Sequence, residues 1–112
     1  MSKPREPKSV RVLDLRRRGG RWLKSRRESL GLSQSQLATL LGSDHYTFIS
    51  QIEIGRRRLP HERYRDWANA LEMDEKVFVR EMLRFYDPII FDVIFEGTPD
   101  RPGLAINGTL AV

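Results

Sequence analysis

An all-α chain of five helices, closed by a short apolar element, is what this sequence predicts, and three observations predict it. Helix-start signals recur: Ser33 with Gln36 three residues on forms a capping-box pattern, Asp74 precedes an apolar run, and Pro60 stands at the head of another. Glycines stand where helices stop, at Gly31, Gly42 and Gly55, a position that favours the left-handed backbone. Between these signals the apolar residues recur at helical spacing rather than alternating.

In chain order, Met1 to Val10 is rich in Pro and Lys without periodicity, and residues 1–20, ending in Arg16-Arg17-Arg18-Gly19-Gly20, read as a flexible basic arm. Arg21 to Leu30 makes the first helix, with Trp22, Leu23, Arg26, Arg27 and Leu30 spaced near four. Ser33 to Leu41 makes the second, with Leu37, Ala38, Leu40 and Leu41 as its apolar face. After Gly42 a third carries Ile49 and Ile52 on one side and polar Thr47, Ser50 and Gln51 on the other, ending at Gly55. The fourth runs from His61 to Leu71 on Tyr64, Trp67, Ala68 and Leu71. The fifth runs from Glu75 to Tyr86, with Val77, Phe78, Met82 and Phe85 on one side. Two short helices about a tight turn, the second with a polar face and a basic exit at Arg56-Arg57-Arg58, form a helix-turn-helix pattern, in which the second helix is set on nucleic acid.

Charge points the same way. The chain carries a net +5 over 112 residues. Residues 1–42 hold eleven Lys/Arg against three Asp/Glu, and residues 43–112 hold nine against twelve, so the positive charge sits before and around the motif. The absence of cysteine removes disulfides and thiolate metal sites. His45 and His61, without clustered carboxylates, do not make a metal site, and no cofactor is expected. No Gly-rich phosphate loop or nucleophile–base arrangement argues for an enzyme. With no signal peptide and no apolar run long enough for a bilayer, the expectation is a cytoplasmic, nucleoid-associated protein with no membrane partner.

Gln34, Leu37-Ala38, Leu41-Gly42, Ile49-Ser50, Ile52-Glu53 and Gly55-Arg56 resemble the signature of the Cro/repressor (XRE-type) helix-turn-helix regulators, from about Trp22 to Leu71. One residue more than the usual pattern lies between Gly42 and Ile49, which leaves Ser43, Asp44 and His45 each open as the N-cap of the third helix. The resemblance implies a five-helix lambda-repressor-like domain over residues 21–86. Together with the helix-turn-helix pattern it points to double-stranded DNA as the partner. A homodimer, read from the apolar segment described below, would by its two-fold symmetry take a roughly palindromic operator, with transcriptional regulation, most simply repression, as the outcome. Some antitoxins carry a similar domain, so an antitoxin that binds a toxin and its own operator is the alternative.

Carried onto this sequence, the resemblance makes Tyr46, Thr47, Ser50 and Gln51 the base-contacting residues. Glutamine can bond adenine bidentately, and Ser and Thr are permissive donors and acceptors. It gives Gln34 a phosphate bond and a bracing role, and it pairs Arg27 with Glu53 in a structural ion pair. Arg56, Arg57 and Arg58 are candidate phosphate clamps by their place beside the motif, and Arg16, Arg17 and Arg18 of the arm are candidates too.

Residues 87–112 read as a dimerisation segment and tail. Asp87-Pro88 before Ile89-Ile90-Phe91 and Val93-Ile94-Phe95 fits a short helix with Pro at its first position. The density of β-branched and aromatic residues fits a strand. Ile89, Ile90, Phe91, Val93, Ile94 and Phe95 supply apolar surface for a second copy. Beyond them, Asn107-Gly108 is a hairpin-turn pair in either a flexible tail or a small ribbon.

Overall fold

The computed structural model describes residues 8–96 of the chain. These form α1 (Lys8–Ser29), α2 (Gln34–Leu40), α3 (Thr47–Glu53), α4 (Tyr64–Ala70), α5 (Glu75–Tyr86) and α6 (Pro88–Phe91). A 3-10 turn at His61–Arg63 leads into α4, a π-helical turn at Asp92–Glu96 follows α6, and no strand occurs among the described residues. The proposed hairpin at Asn107-Gly108 lies outside the described residues, as do residues 1–7 of the arm.

The capping signals act where the sequence places them. Ser33 Oγ accepts from Gln36 N at 3.0 Å, and Gln36 Oε1 accepts from Ser33 N at 2.8 Å, a complete capping box on α2. Asp74 accepts from Val77 N at the head of α5. Gly42 (φ 76°) ends α2 in a Schellman motif, with Ser43 N donating to Ala38 O at 2.9 Å, and Gly55 (φ 84°) ends α3 likewise, with Arg56 N donating to Gln51 O at 3.0 Å. After α4 the same position is held by Glu72 (φ 56°), which is not a glycine. There the Arg26 guanidinium donates to Leu71 O and Glu72 O, both at 2.9 Å, which satisfies the end of α4 and ties it to α1.

The flexible arm expected over residues 1–20 gives way to a helix from Lys8 onward: α1 runs 22 residues without a break. Gly19 and Gly20 do not interrupt it, because close packing selects them. A Cβ on Gly20 would overlap the Glu53 carbonyl and stand 2.6 Å from the Ile52 carbonyl oxygen, and one on Gly19 would stand 3.0 Å from Phe85 Cβ. The two glycines let α1 lie directly on the end of α3 and on α5. Their cost to helix propensity, about 1 kcal/mol each, is offset by this contact.

The core is one cluster drawn from every helix up to α5: Leu23, Leu37, Ile49, Ile52, Leu59, Trp67, Leu71, Phe78 and Met82 are all essentially inaccessible. Trp22 meets Phe78 (5.8 Å between centroids) and Phe85 (6.2 Å), Tyr64 meets Phe78 edge-on, and Phe48 meets Trp67 edge-on, so α1, α3, α4 and α5 share an aromatic seam. Two expected core residues are exposed instead. Leu40 faces solvent on the last turn of α2, and Val77 does so on the first full turn of α5, each one position off the buried stripe.

The apolar element after Asp87 is a helix, not a strand, with Pro88 at its first position. Phe91 turns back onto the domain, where the Arg84 guanidinium lies 4.4 Å from its ring centroid. Phe91 is therefore not part of an exposed face. Ile89 (75% exposed), Val93 (71%), Ile94, Ile90 and Phe95 do face outward.

Two outcomes follow. Gly20→Ala should destabilise by about 3 kcal/mol or more in urea unfolding, although propensity alone favours alanine in a helix. Tyr64 is buried, and among the described residues its hydroxyl has no hydrogen-bond partner. Burial pushes it up to about 12, and the nearby Arg58 guanidinium only partly opposes this. The unfolded tyrosine ionises first, so stability should hold below about pH 10 and fall as pH rises toward 12, by up to about 3 kcal/mol. Tyr64→Phe should flatten that alkaline limb, read by thermal melts across pH.

Candidate nucleic-acid interface

The site is built around a buried charge. Glu53 is the last residue of α3, where the helix dipole disfavours a carboxylate. Arg27 on α1 neutralises it bidentately: Nε to Oε2 at 2.7 Å and Nη2 to Oε1 at 3.0 Å, with both residues about 95% buried. The third guanidinium nitrogen donates to Leu32 O at 2.6 Å in the α1–α2 connection. Gln34, in the first turn of α2, donates from Nε2 to Glu53 Oε1 at 3.0 Å. Glu53 and Arg27 thus together hold α1, the loop after it, α2 and α3. The bond to Glu53 raises the Arg27 pKa above its ordinary value against the cost of desolvation, so this guanidinium stays charged at any accessible pH.

The bond to Glu53 fixes how α3 presents its other side. Ile49 and Ile52 point into the core and Phe48 is half-buried against Trp67. Thr47 is exposed and Ser50 and Gln51 are half-exposed along one stripe of the helix, with exposed Tyr46 at its head. The helix starts later than any of the three expected N-caps: Tyr46 occupies that position and supplies no side-chain cap. The extra residue is taken up in the turn before it, where Ser43 Oγ accepts from His45 N and donates to His45 O, both at 3.1 Å. Sequence reading missed Ile54, which stands seven residues after Thr47 on the same stripe and is 52% exposed. The i, i+3, i+4, i+7 pattern through Thr47, Ser50 and Gln51 was the signal for it.

The two arginine runs divide. Arg56 and Arg57 are exposed, and their backbone N–H groups both donate to Gln51 O, at 3.0 and 3.2 Å, which folds the loop against the end of the polar stripe. Arg58 turns away: Nη2 lies 2.6 Å from Asp87 Oδ2 and the guanidinium sits 4.9 Å from the Tyr86 ring centroid. Tyr86 Oη in turn accepts from Leu59 N at 3.1 Å, so this group joins the loop to the start of α6. On α1, Arg16 is half-buried beside Tyr86 and Pro88, Arg17 abuts Gly55, and Arg18 pairs with Asp14 at 3.1 Å.

Among the described residues no group of three or more His, Cys, Asp or Glu is placed to hold a metal ion, and no helix is long and apolar enough to cross a membrane. A family model described as a helix-turn-helix domain matches residues 20–86, more than half of the chain. A search of the curated proteins finds no match. The matched span begins at Gly20 and ends at Tyr86, so the first half of α1 and all of α6 lie outside it.

Arg27→Ala should cost about 3–5 kcal/mol in chemical denaturation, because it strands a buried carboxylate. The Arg27→Ala, Glu53→Ala double variant should lose clearly less than the sum of the two single losses, the mark of direct coupling.

Proposed function

The chain belongs to the helix-turn-helix domain family, and we propose that it is a sequence-specific double-stranded DNA-binding regulator, a binding protein rather than an enzyme. The observation that carries this reading is the stripe of Thr47, Ser50 and Gln51 on α3, presented outward by the helix whose far end is locked through Glu53. In this reading α3 enters the major groove. Gln51 bonds one base, Ser50 and Thr47 contact neighbours, Tyr46 reaches a base or phosphate from the head of the helix, and Ile54 offers an apolar contact to a thymine methyl. Gln34, Arg56 and Arg57 hold phosphates, which set affinity and salt dependence without carrying sequence information.

The finer reading is a repressor of the Cro/repressor (XRE) type acting as a homodimer. It is supported by Ile89, Ile90, Val93, Ile94 and Phe95, a row of apolar side chains exposed in the single chain. A two-fold dimer would read a roughly palindromic site, with half-sites about one DNA turn apart. The same row fits a second reading, an antitoxin whose partner is a toxin, and the oligomeric state of the purified chain separates the two.

Selection from random duplexes near physiological salt should enrich a palindrome, and sedimentation should give a dimer that Val93→Glu converts to monomer. Gln51→Ala should weaken binding to the selected site by about 1–3 kcal/mol and relax preference at one base pair per half-site. Binding without enrichment would overturn sequence-specific recognition. A monomer without a partner would overturn the homodimer.

A further inference from the structure

The first half of α1 is an unexplained feature: it precedes the matched domain, lies along α5 and the start of α6 through Val12, Leu15 and Arg16, and carries its own basic side chains. Two contacts one turn apart fix its direction. Gly20 lies against the Ile52 and Glu53 carbonyls at the end of α3, and one turn earlier the backbone of Arg17 lies against Gly55. A Cβ on Gly55 would stand 2.8 Å from both Arg17 Cα and Arg17 Cγ, so the side chain of Arg17 leaves its helix directly beside the residue that begins the arginine loop. Gly55 also needs its positive φ, so neither the loop nor the helix can shift freely at this point.

The three arginines that this contact gathers differ from their neighbours. Arg17, Arg56 and Arg57 are exposed, and none has a carboxylate within ion-pair distance among the described residues. Arg18 is held by Asp14 and Arg58 by Asp87, while Glu53, the acidic residue closest in sequence to the loop, is consumed by Arg27. The cluster adjoins the C-terminal end of α3, since the loop's N–H groups are bonded to Gln51 O. A cation there is also favoured by the helix dipole.

We propose that Arg17, positioned by Gly55, joins Arg56 and Arg57 in one cationic surface that binds the phosphodiester backbone of duplex DNA where it leaves the groove occupied by α3. The α1 extension is then a rigid strut that widens the footprint of the domain, and of the three arginines before Gly19 only Arg17 has this role. The inference rests on the DNA-binding reading above and is tested separately from it, because phosphate contacts need no particular base sequence.

The experiment is a salt titration of duplex affinity with the full-length protein, using the selected site or, if none is enriched, a random duplex. The variants are Arg17→Ala, Arg17→Lys and Arg18→Ala, each checked for an unchanged melting temperature. Loss of one phosphate contact lowers the slope of log K against log salt by about 0.9. The wild-type advantage over Arg17→Ala should therefore shrink about three-fold between 50 and 200 mM salt. Arg17→Lys should recover most of the slope, and Arg18→Ala, which removes the same charge one residue away, should keep it.

Equal slopes for Arg17→Ala and Arg18→Ala would mean that the charge acts only in bulk, and would overturn the proposal. An unchanged slope in Arg17→Ala with a selected site intact would overturn it alone. A wild type that binds no duplex would overturn both this inference and the reading beneath it.

Discussion

The bidentate contact between Arg27 and Glu53 is the interaction on which the rest of the arrangement depends. A carboxylate at the end of a helix and out of water is unfavourable on two counts, desolvation and the helix dipole. It persists because Arg27 offers two parallel donors and Gln34 a third, while the remaining Arg27 nitrogen is satisfied by Leu32 O. No apolar packing could fix so many elements relative to one another at a single point. An aliphatic pair would tolerate small rotations of α3 about its axis, and such rotations would carry Ser50 and Gln51 out of register with a groove. Directional bonds to a planar guanidinium do not tolerate them.

The approach of α1 to α3 supports the same constraint from outside the charge pair. Gly20 removes the side chain that would hold the helices apart, and this brings Arg27, two turns further along α1, within reach of Glu53. The packing and the electrostatics are thus one design: a close backbone contact at one level and a charged clasp at the next. Arg26 extends it by closing the end of α4, so that α1 is fastened to three other helices by neighbouring residues.

Much of this was legible in the sequence where a local rule decides it. Ser33 with Gln36, Asp74 before Val77, and the glycines after α2 and α3 act through bonds within a few residues, and their places in the structure follow from propensity and capping alone. Gly19-Gly20 misled for the opposite reason. A glycine pair reads as a break unless the neighbour that needs the space is known, and that neighbour, Glu53, is thirty-three residues away. A continuous stripe through Val12, Leu15, Gly19 and Trp22 was nonetheless present and extends α1 backwards past the arginines. The start of α3 was illegible because the turn closes through Ser43 bonding to His45, which leaves Tyr46 an N-cap without cap chemistry. Likewise the equal treatment of Arg56, Arg57 and Arg58 could not survive a partner, Asp87, that lies on a different helix boundary.

Whether α3 presents its outward stripe to DNA is tested most directly by a backbone NMR titration of the labelled full-length chain with a short duplex. If the outward stripe of α3 reads the duplex, held in place by the Arg27–Glu53 clasp, the largest shifts fall at Thr47, Ser50 and Gln51, with Gln34, Arg56 and Arg57 following, and Arg27 and Glu53 steady within the core. Shifts confined to the basic first half of α1 or to Ile89–Phe95, with Ser50 and Gln51 unmoved, would contradict that role for α3.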